Sequence, residues 1–486
     1  MKKHLITLLI LIFALPIVWA DEINYEIKQE NSVSQIETEL QTLINNATND
    51  DIVKVTGSKT NADITLTLNI VSGKKVVWEA IYHSSATFEG TSLISFLGSG
   101  VFEVTNGELI SDIAEEIITS TGDEAMVLVS GGTISVKSGN AIVALGNDTQ
   151  VFVSGGYLSN DADDVYPVII AFEANPALRN AFVHISGTAK VEAKGYGNAV
   201  ISSGTVVVCG DAQVSNTKGG SSNNTAAVRA SHTVVVGENA KITASNNCAI
   251  MSYENVLISE NCIIEAKEDA IAIFIYGDGV SSGSVNVMGQ AQIIAANNYA
   301  ISYNSSSYHL NLNVLGGIMF AYGNDISNVV NESEFIGPTG SGIILAWNKE
   351  TGNTNYEINS TEDIFVLPES ATAYWDKKGT EFGISYINGE NTGFIPLDVN
   401  VLSVNEQAFS NLIVYPNPTT GELRVTSYEL PVTGIEIFDI YGRKQFSTFN
   451  FQFSTQKIDI SHFPAGIYFM RIQTEAGVVV KKVVKE

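Results

Sequence analysis

The chain has 486 residues, of which 45% are hydrophobic and only 16% charged, with 41 glycines and 10 prolines. That balance excludes a disordered polymer and leaves ample material for a β-rich core. A formal net charge of −26 sets it against a phosphate backbone, so nucleic acid is not an expected partner. The charge is uneven: residues 405–486 hold eight acidic and eight basic side chains, whereas the stretch 21–404 has 44 acidic against 16 basic, or −28.

Residues 1–20 read as a secretory signal peptide. Lys2 and Lys3 supply the positive end, Leu5 to Val18 the apolar run, and Val18-Trp19-Ala20 the small-residue context for cleavage after Ala20. A retained anchor is the alternative, but the run is shorter than the roughly 20 residues that span a bilayer. No later apolar run has that length, so the mature chain is expected to lack a transmembrane segment. Next, residues 21–82 read as an N-terminal cap and first coil. Ser34 to Asn46 has the spacing of an amphipathic capping helix, with Ile36, Leu40, Leu43 and Ile44 on one side, and Leu66 to Ile81 is strand-rich.

Residues 83–334 carry the repeats. Two apolar residues separated by one recur from Val127, Val151, Val183, Val206, Val234, Val256, Val285 and Leu312, at steps of 24, 32, 23, 28, 22, 29 and 27 residues. A second phrase, Ala followed by Ile or Val, interleaves as Ala141-Ile142, Ala199-Val200, Ala227-Val228, Ala249-Ile250, Ala270-Ile271 and Ala300-Ile301. Short strands at a period in the twenties, without helical spacing between them, predict an all-β fold: a right-handed parallel β-helix whose turns absorb the variable lengths. Burying Ala141 and Val143 on the second phrase would also bury Arg229, so Ile142, Val200, Val228, Ile250, Ile271 and Ile301 are expected to face the core. On the first phrase, Val127 and Val129, Val206 and Val208, and Val234 and Val236 form inward pairs. The residues between make an outward column of Leu128, Phe152, His184, Val207, Val235, Leu257, Asn286 and Asn313, unusually apolar for a free sheet face. The closing segment 335–404, with Trp347 and Trp375, departs from the period and is read as β-rich.

Cys209, Cys248 and Cys262 are too few for a disulfide framework and read as small buried residues, with a Cys248–Cys262 bridge left open.

Residues 405–486 form a separate unit. Val414-Tyr415-Pro416-Asn417-Pro418 is followed by Gly421 and Leu423; Ile435-Glu436-Ile437-Phe438-Asp439-Ile440-Tyr441-Gly442-Arg443 comes next; Ile458-Asp459-Ile460 leads through Ala465-Gly466-Ile467-Tyr468 to a basic tail at Lys481-Lys482. These blocks, in this order, resemble the type A C-terminal sorting domain of the type IX secretion system. The sorting motif would comprise Tyr415, Pro416, Asn417, Pro418, Gly421, Gly442, Gly466 and Tyr468. The alternation Ile435, Ile437, Asp439 suits an Ig-like β-sandwich, and an ordinary Ig-like binding domain is the alternative. The resemblance implies handling by the type IX machinery and its sortase-like protease, removal of the segment near Val404 to Ser410, attachment to surface lipopolysaccharide, and a place on the outer-membrane cell surface.

The catalytic inventory of the body is thin. Asp161, Asp163 and Asp164, in the longest repeat step with Arg179 downstream, are the candidate carboxylates for acid–base chemistry or Ca²⁺, against the plainer reading of a solvated acidic loop. His83, His184, His232 and His309 lack metal-ligand spacing, and no phosphate loop, GxSxG elbow or CxxC pair occurs, so no metal or cofactor is predicted beyond Ca²⁺. Tyr299, Tyr303 and Tyr308, in an Asn/Ser-rich stretch, are candidate sugar-stacking rings, or else turn and core residues. Phe152, Val207 and Val235 in the outward column are the other ligand-contact candidates. These features point to a non-catalytic adhesin or glycan-binding structure, with a β-helix polysaccharide lyase or glycoside hydrolase as the alternative.

Overall fold

The computed structural model describes residues 22–48, 51–161, 166–175, 178–218, 225–245, 247–276, 283–304, 310–314, 316–322, 330–331, 336–339, 343–348, 353–358, 372–378, 381–389, 391–396, 412–416, 419–427, 432–439, 444–449, 455–464, 466–474 and 477–485. The body is a parallel β-solenoid with three strand-bearing faces. On the first face Val127, Val151, Val183, Val206, Val234, Val256, Val285 and Leu312 are direct Cα partners from coil to coil. Unequal repeat lengths therefore leave the register unshifted, because a one-residue slip would turn every inward valine to solvent. The same stack reaches upstream through Phe102, Val76 and Val53 to Ile23.

The second face stacks Tyr82, Leu109, Ile134, Leu158, Val191, Val214, Ile242, Ile264, Ile293, Met319 and Ile344. The third stacks Leu66, Ile94, Ile118, Ile142, Ile169, Val200, Val228, Ile250, Ile273 and Ile301. All three lines meet in one continuous core. Each fully buried Val, Ile or Leu contributes about 1.5–3 kcal/mol before chain entropy is charged against it.

The third face corrects one sequence expectation. Ile250 pairs with Ile273, whereas Ile271 pairs with Cys248 and is only half-buried. The repeating phrase in that coil is thus Ala272-Ile273. Both members of the phrase are buried, as Ala227 with Val228 and Ala249 with Ile250 show, while Arg229 faces outward as expected.

Turns stack as well as strands. The amides of Cys209, Gly237, Ser259 and Met288 donate to the carbonyls of Ile185, Val208, Val236 and Ile258 in the preceding coils, at 2.9–3.0 Å. Backbone groups in the corners are thereby paired rather than left dry. At the next turn position Gly210 has φ 69°, and a Cβ there would lie 2.6 Å from the Gly187 nitrogen. Glu238 and Glu260 hold similar left-handed backbones in later coils. Their carboxylates accept from the amides of Gly210 and Glu238, each at 2.7 Å, which ties successive coils together.

Helix α1 (Val33–Asn46) begins at Ser32, whose hydroxyl accepts from the Gln35 amide at 3.1 Å. Val33, Ile36, Leu40 and Ile44 are buried and join the solenoid core. Its polar side reaches the strand Ile52–Asn69: Glu37 accepts from the Thr67 amide at 2.9 Å, and Gln41 both accepts from the Asn69 amide and donates to its carbonyl.

At the other end, Ile343–Asn348 stacks parallel on Ile318–Tyr322 and pairs antiparallel with Asn353–Ile358. An antiparallel sheet of Thr372–Lys378, Glu381–Asn388 and Asn391–Pro396 follows. Trp347 and Trp375 lie in these strands.

The C-terminal unit has two antiparallel sheets. One holds Leu412–Tyr415, Glu422–Ser427 and Thr455–Asp459; the other holds Lys444–Phe449, Val432–Asp439, Gly466–Thr474 and Gly477–Lys485. Leu423, Val425 and Ile458 from the first share a core with Ile435, Ile437, Met470 and Ile472 from the second. Tyr468 donates to the Pro464 carbonyl at 2.8 Å, Gly421 has φ 157°, Tyr415 is exposed and precedes Pro416 through a cis bond. Ala20, Asn417, Pro418 and Gly442 lie outside the described residues.

Candidate functional site

The outward column of the first face is a continuous row, Glu103, Leu128, Phe152, His184, Val207, Val235, Leu257, Asn286 and Asn313, each the Cα partner of the next. Every one of these side chains is half-buried. Polar groups bound the apolar stretch on both sides. Glu103 pairs with Lys75 at 2.6 Å, and Asn313 donates to Asn286 at 2.9 Å in an amide ladder.

Phe152 and His184 of the row form a ring cluster with the buried Phe182 beside them, centroids 5.7–6.1 Å apart, and His184 Nε2 lies 3.2 Å from Cys209 Sγ. Burial pushes the His184 imidazole below its ordinary value of 6.5, against a smaller opposing pull from Glu238. The sign follows from linkage. The unfolded chain takes up a proton near 6.5 and the folded chain resists it, so stability is full above that pH and falls as pH drops below it. Urea melts from pH 8 to 5 are expected to show this decline, and His184→Gln should flatten part of it.

The residues singled out in the sequence are dispersed. Asp161 pairs with Lys194 at 2.8 Å, and Lys194 is pushed up to about 12, chiefly by that hydrogen bond. Lys190 and Lys194 both lie over the Tyr157 ring, whose hydroxyl donates to Glu192 at 2.6 Å. Burial alone would raise the Glu192 carboxyl, but Tyr157 and the two lysines outweigh it and hold it below the usual range. Asp163, Asp164, Tyr308 and His309 lie outside the described residues. Tyr299 is half-buried, whereas Tyr303 is 6% exposed and packs in the core, so its ring is not offered to a ligand.

All three cysteines are free thiols. Cys248 and Cys262 are buried, and burial pushes each up to about 12. Cys209 departs from the expectation of a buried residue: it is half-buried on the outer side, beside His184.

Arg179 does not join Asp161. Its guanidinium meets the Glu254 carboxylate, 75 residues away in sequence, and His232 Nδ1 lies against the same carboxylate. Nearby, Arg229 donates to the Tyr253 hydroxyl at 2.7 Å and lies over its ring, which is 5.2 Å from that of Tyr276. This corner was missed by reasoning along the sequence. The only signal for it was the recurrence of outward residues Arg229, Met251 and Phe274 at coil spacing, with a Tyr two places after each of the last two.

Among the described residues no group of three or more His, Cys, Asp or Glu side chains is gathered as a metal site, and no helix is long and apolar enough to cross a membrane. Residues 413–486 match the family model of the secretion system C-terminal sorting domain. The two-sheet unit thus coincides with the tail that directs secretion by the type IX route and attachment at the cell surface. No curated protein matches the chain.

Proposed function

We propose that this chain is a surface-anchored parallel β-helix that binds a partner rather than cutting a polymer. The half-buried apolar row from Leu128 to Leu257 carries the reading. Such a strip, repeated coil after coil between polar flanks, is costly to leave in water and fits the flat side of a protein partner. The −28 charge of residues 21–404 disfavours a polyanionic partner unless Ca²⁺ bridges the two. Cleavage after Ala20, capping of the first coil by α1, an Ig-like sorting sandwich, its removal near Val404 to Ser410 and lipopolysaccharide attachment on the outer membrane complete this reading.

A polysaccharide lyase or hydrolase is the second reading, favoured by the Glu254 carboxylate held against a histidine and an arginine. The two separate by experiment. Cells displaying the full chain are expected to adhere to partner-cell monolayers, and the double variant Val207→Lys, Val235→Lys should abolish adhesion while costing about 2 kcal/mol or less of stability. Undiminished adhesion per displayed molecule would refute the strip. Release of new sugar ends from a polysaccharide would instead favour the enzyme.

A further inference from the structure

The stretch 21–404 contains two arginines, Arg179 and Arg229, and the fold brings both to one corner. The corner lies where the third face turns into the first. Its backbone is stacked like the rest: the amides of His232, Asn255 and Ser284 donate to the carbonyls of Gly204, His232 and Glu254 at 3.1–3.2 Å, and the Tyr276 amide donates to Ser252 at 2.9 Å. Side chains there are therefore held at coil spacing by a rigid frame.

Two kinds of group alternate on it. Tyr253 and Tyr276 sit one coil apart with centroids 5.2 Å apart, Phe274 adds a third ring 6.1 Å from Tyr276, and Tyr276 is 40% exposed. Beside the rings, Arg229 is fixed on Tyr253, and Arg179 and His232 flank Glu254, whose side chain is 14% exposed against 44% for Arg179. An exposed tyrosine face next to fixed guanidinium and carboxylate groups is the pairing that a sugar ring requires: its C–H face covers the aromatic ring while its hydroxyls exchange hydrogen bonds with the charged groups. Glu254 answers Arg179 and His232 within the corner, Arg229 is held by Tyr253, and the −28 charge of residues 21–404 would repel a carboxylated or sulfated chain.

We propose that this corner is a binding subsite for a neutral polysaccharide, with a sugar ring on Tyr276, hydroxyls shared by Arg179, Arg229 and Glu254, and Tyr253 holding Arg229 in place. It deepens the binding reading above but uses a different surface from the apolar strip. The test is affinity electrophoresis of the full chain in gels containing hydroxyethyl cellulose, galactomannan, xyloglucan or polygalacturonate. At least one neutral polymer is expected to retard the chain. Tyr276→Ala and Arg229→Met should each weaken that retardation about tenfold without changing the melting temperature, while the Val207→Lys, Val235→Lys variant should retain it. Should Tyr276→Ala melt early, Tyr276→Phe, which keeps the ring, must bind and melt as the parent does. Retardation by polygalacturonate alone, by none of the four polymers, or equally for Tyr276→Ala and the parent would overturn the proposal. Retardation accompanied by release of sugar ends would support the corner and overturn the non-catalytic reading, whereas loss of cell adhesion with retardation intact bears on the strip alone.

Discussion

Replacing Val208 or Val236 with Asp is expected to destabilise the solenoid by several kcal/mol, whereas Asp at Val207 should cost about 1 kcal/mol or less. Val208 stacks between Ile185 and Val236 and is fully buried, as is Val236. A carboxylate there has no cation in reach along its own column and loses its water. Val207 differs by one residue but lies half-buried between His184 and Val235 on the outer side, where Asp keeps part of its hydration. Because each coil is stabilised by its neighbours, damage at Val208 should loosen the adjoining coils too and lower the cooperativity of unfolding. The inner variants should also recover at acid pH, since a buried carboxyl is tolerated better when protonated. Urea melts of the three variants at neutral and acid pH decide the matter, and equal losses at Val207 and Val208 would contradict the parity of the face.

What was legible in the sequence follows from which contacts repeat. The valine stack could be read because its phrase is nearly constant and its register survives turns of any length. Its upstream members Val53, Val76 and Phe102 escaped because Lys54 and Glu103 beside them interrupt the apolar outer column and leave Val77 between two charged residues. The slip from Ile273 to Ile271 has an equally plain origin. The segment Ala270-Ile271-Ala272-Ile273 contains the phrase twice, and a period of two cannot choose between copies; the 23-residue step from Ile250 to Ile273 does. Chain proximity misled in the tyrosine stretch, where strand alternation sends Tyr303 into the core. It also concealed the Arg179–Glu254 contact, which arises only when intervening coils stack, so no local window holds both residues.

Deleting residues 413–486 is expected to remove the protein almost completely from the cell surface while leaving the body folded in the periplasm. The deleted stretch matches the secretion system C-terminal sorting domain, and its core of Leu423, Val425, Ile435, Ile437, Ile458, Met470 and Ile472 is drawn from its own two sheets. The body's core runs from Ile27 to Ile344 and uses none of these residues. Its stability should therefore be unaffected by the loss. A point variant sharpens the test: Ile437→Asp buries a carboxylate between the two sheets, at a cost of several kcal/mol in a unit with so small a core, and should reproduce the deletion without shortening the chain. An exposed change such as Glu422→Gln, on a carboxylate held low by Lys457 and Arg424 at the surface, should leave export intact. Fractionation and protease shaving of intact cells would measure surface, periplasmic and total protein for all three. Normal surface amounts after deletion would contradict the sorting role, because the body would then be reaching the surface by an address of its own.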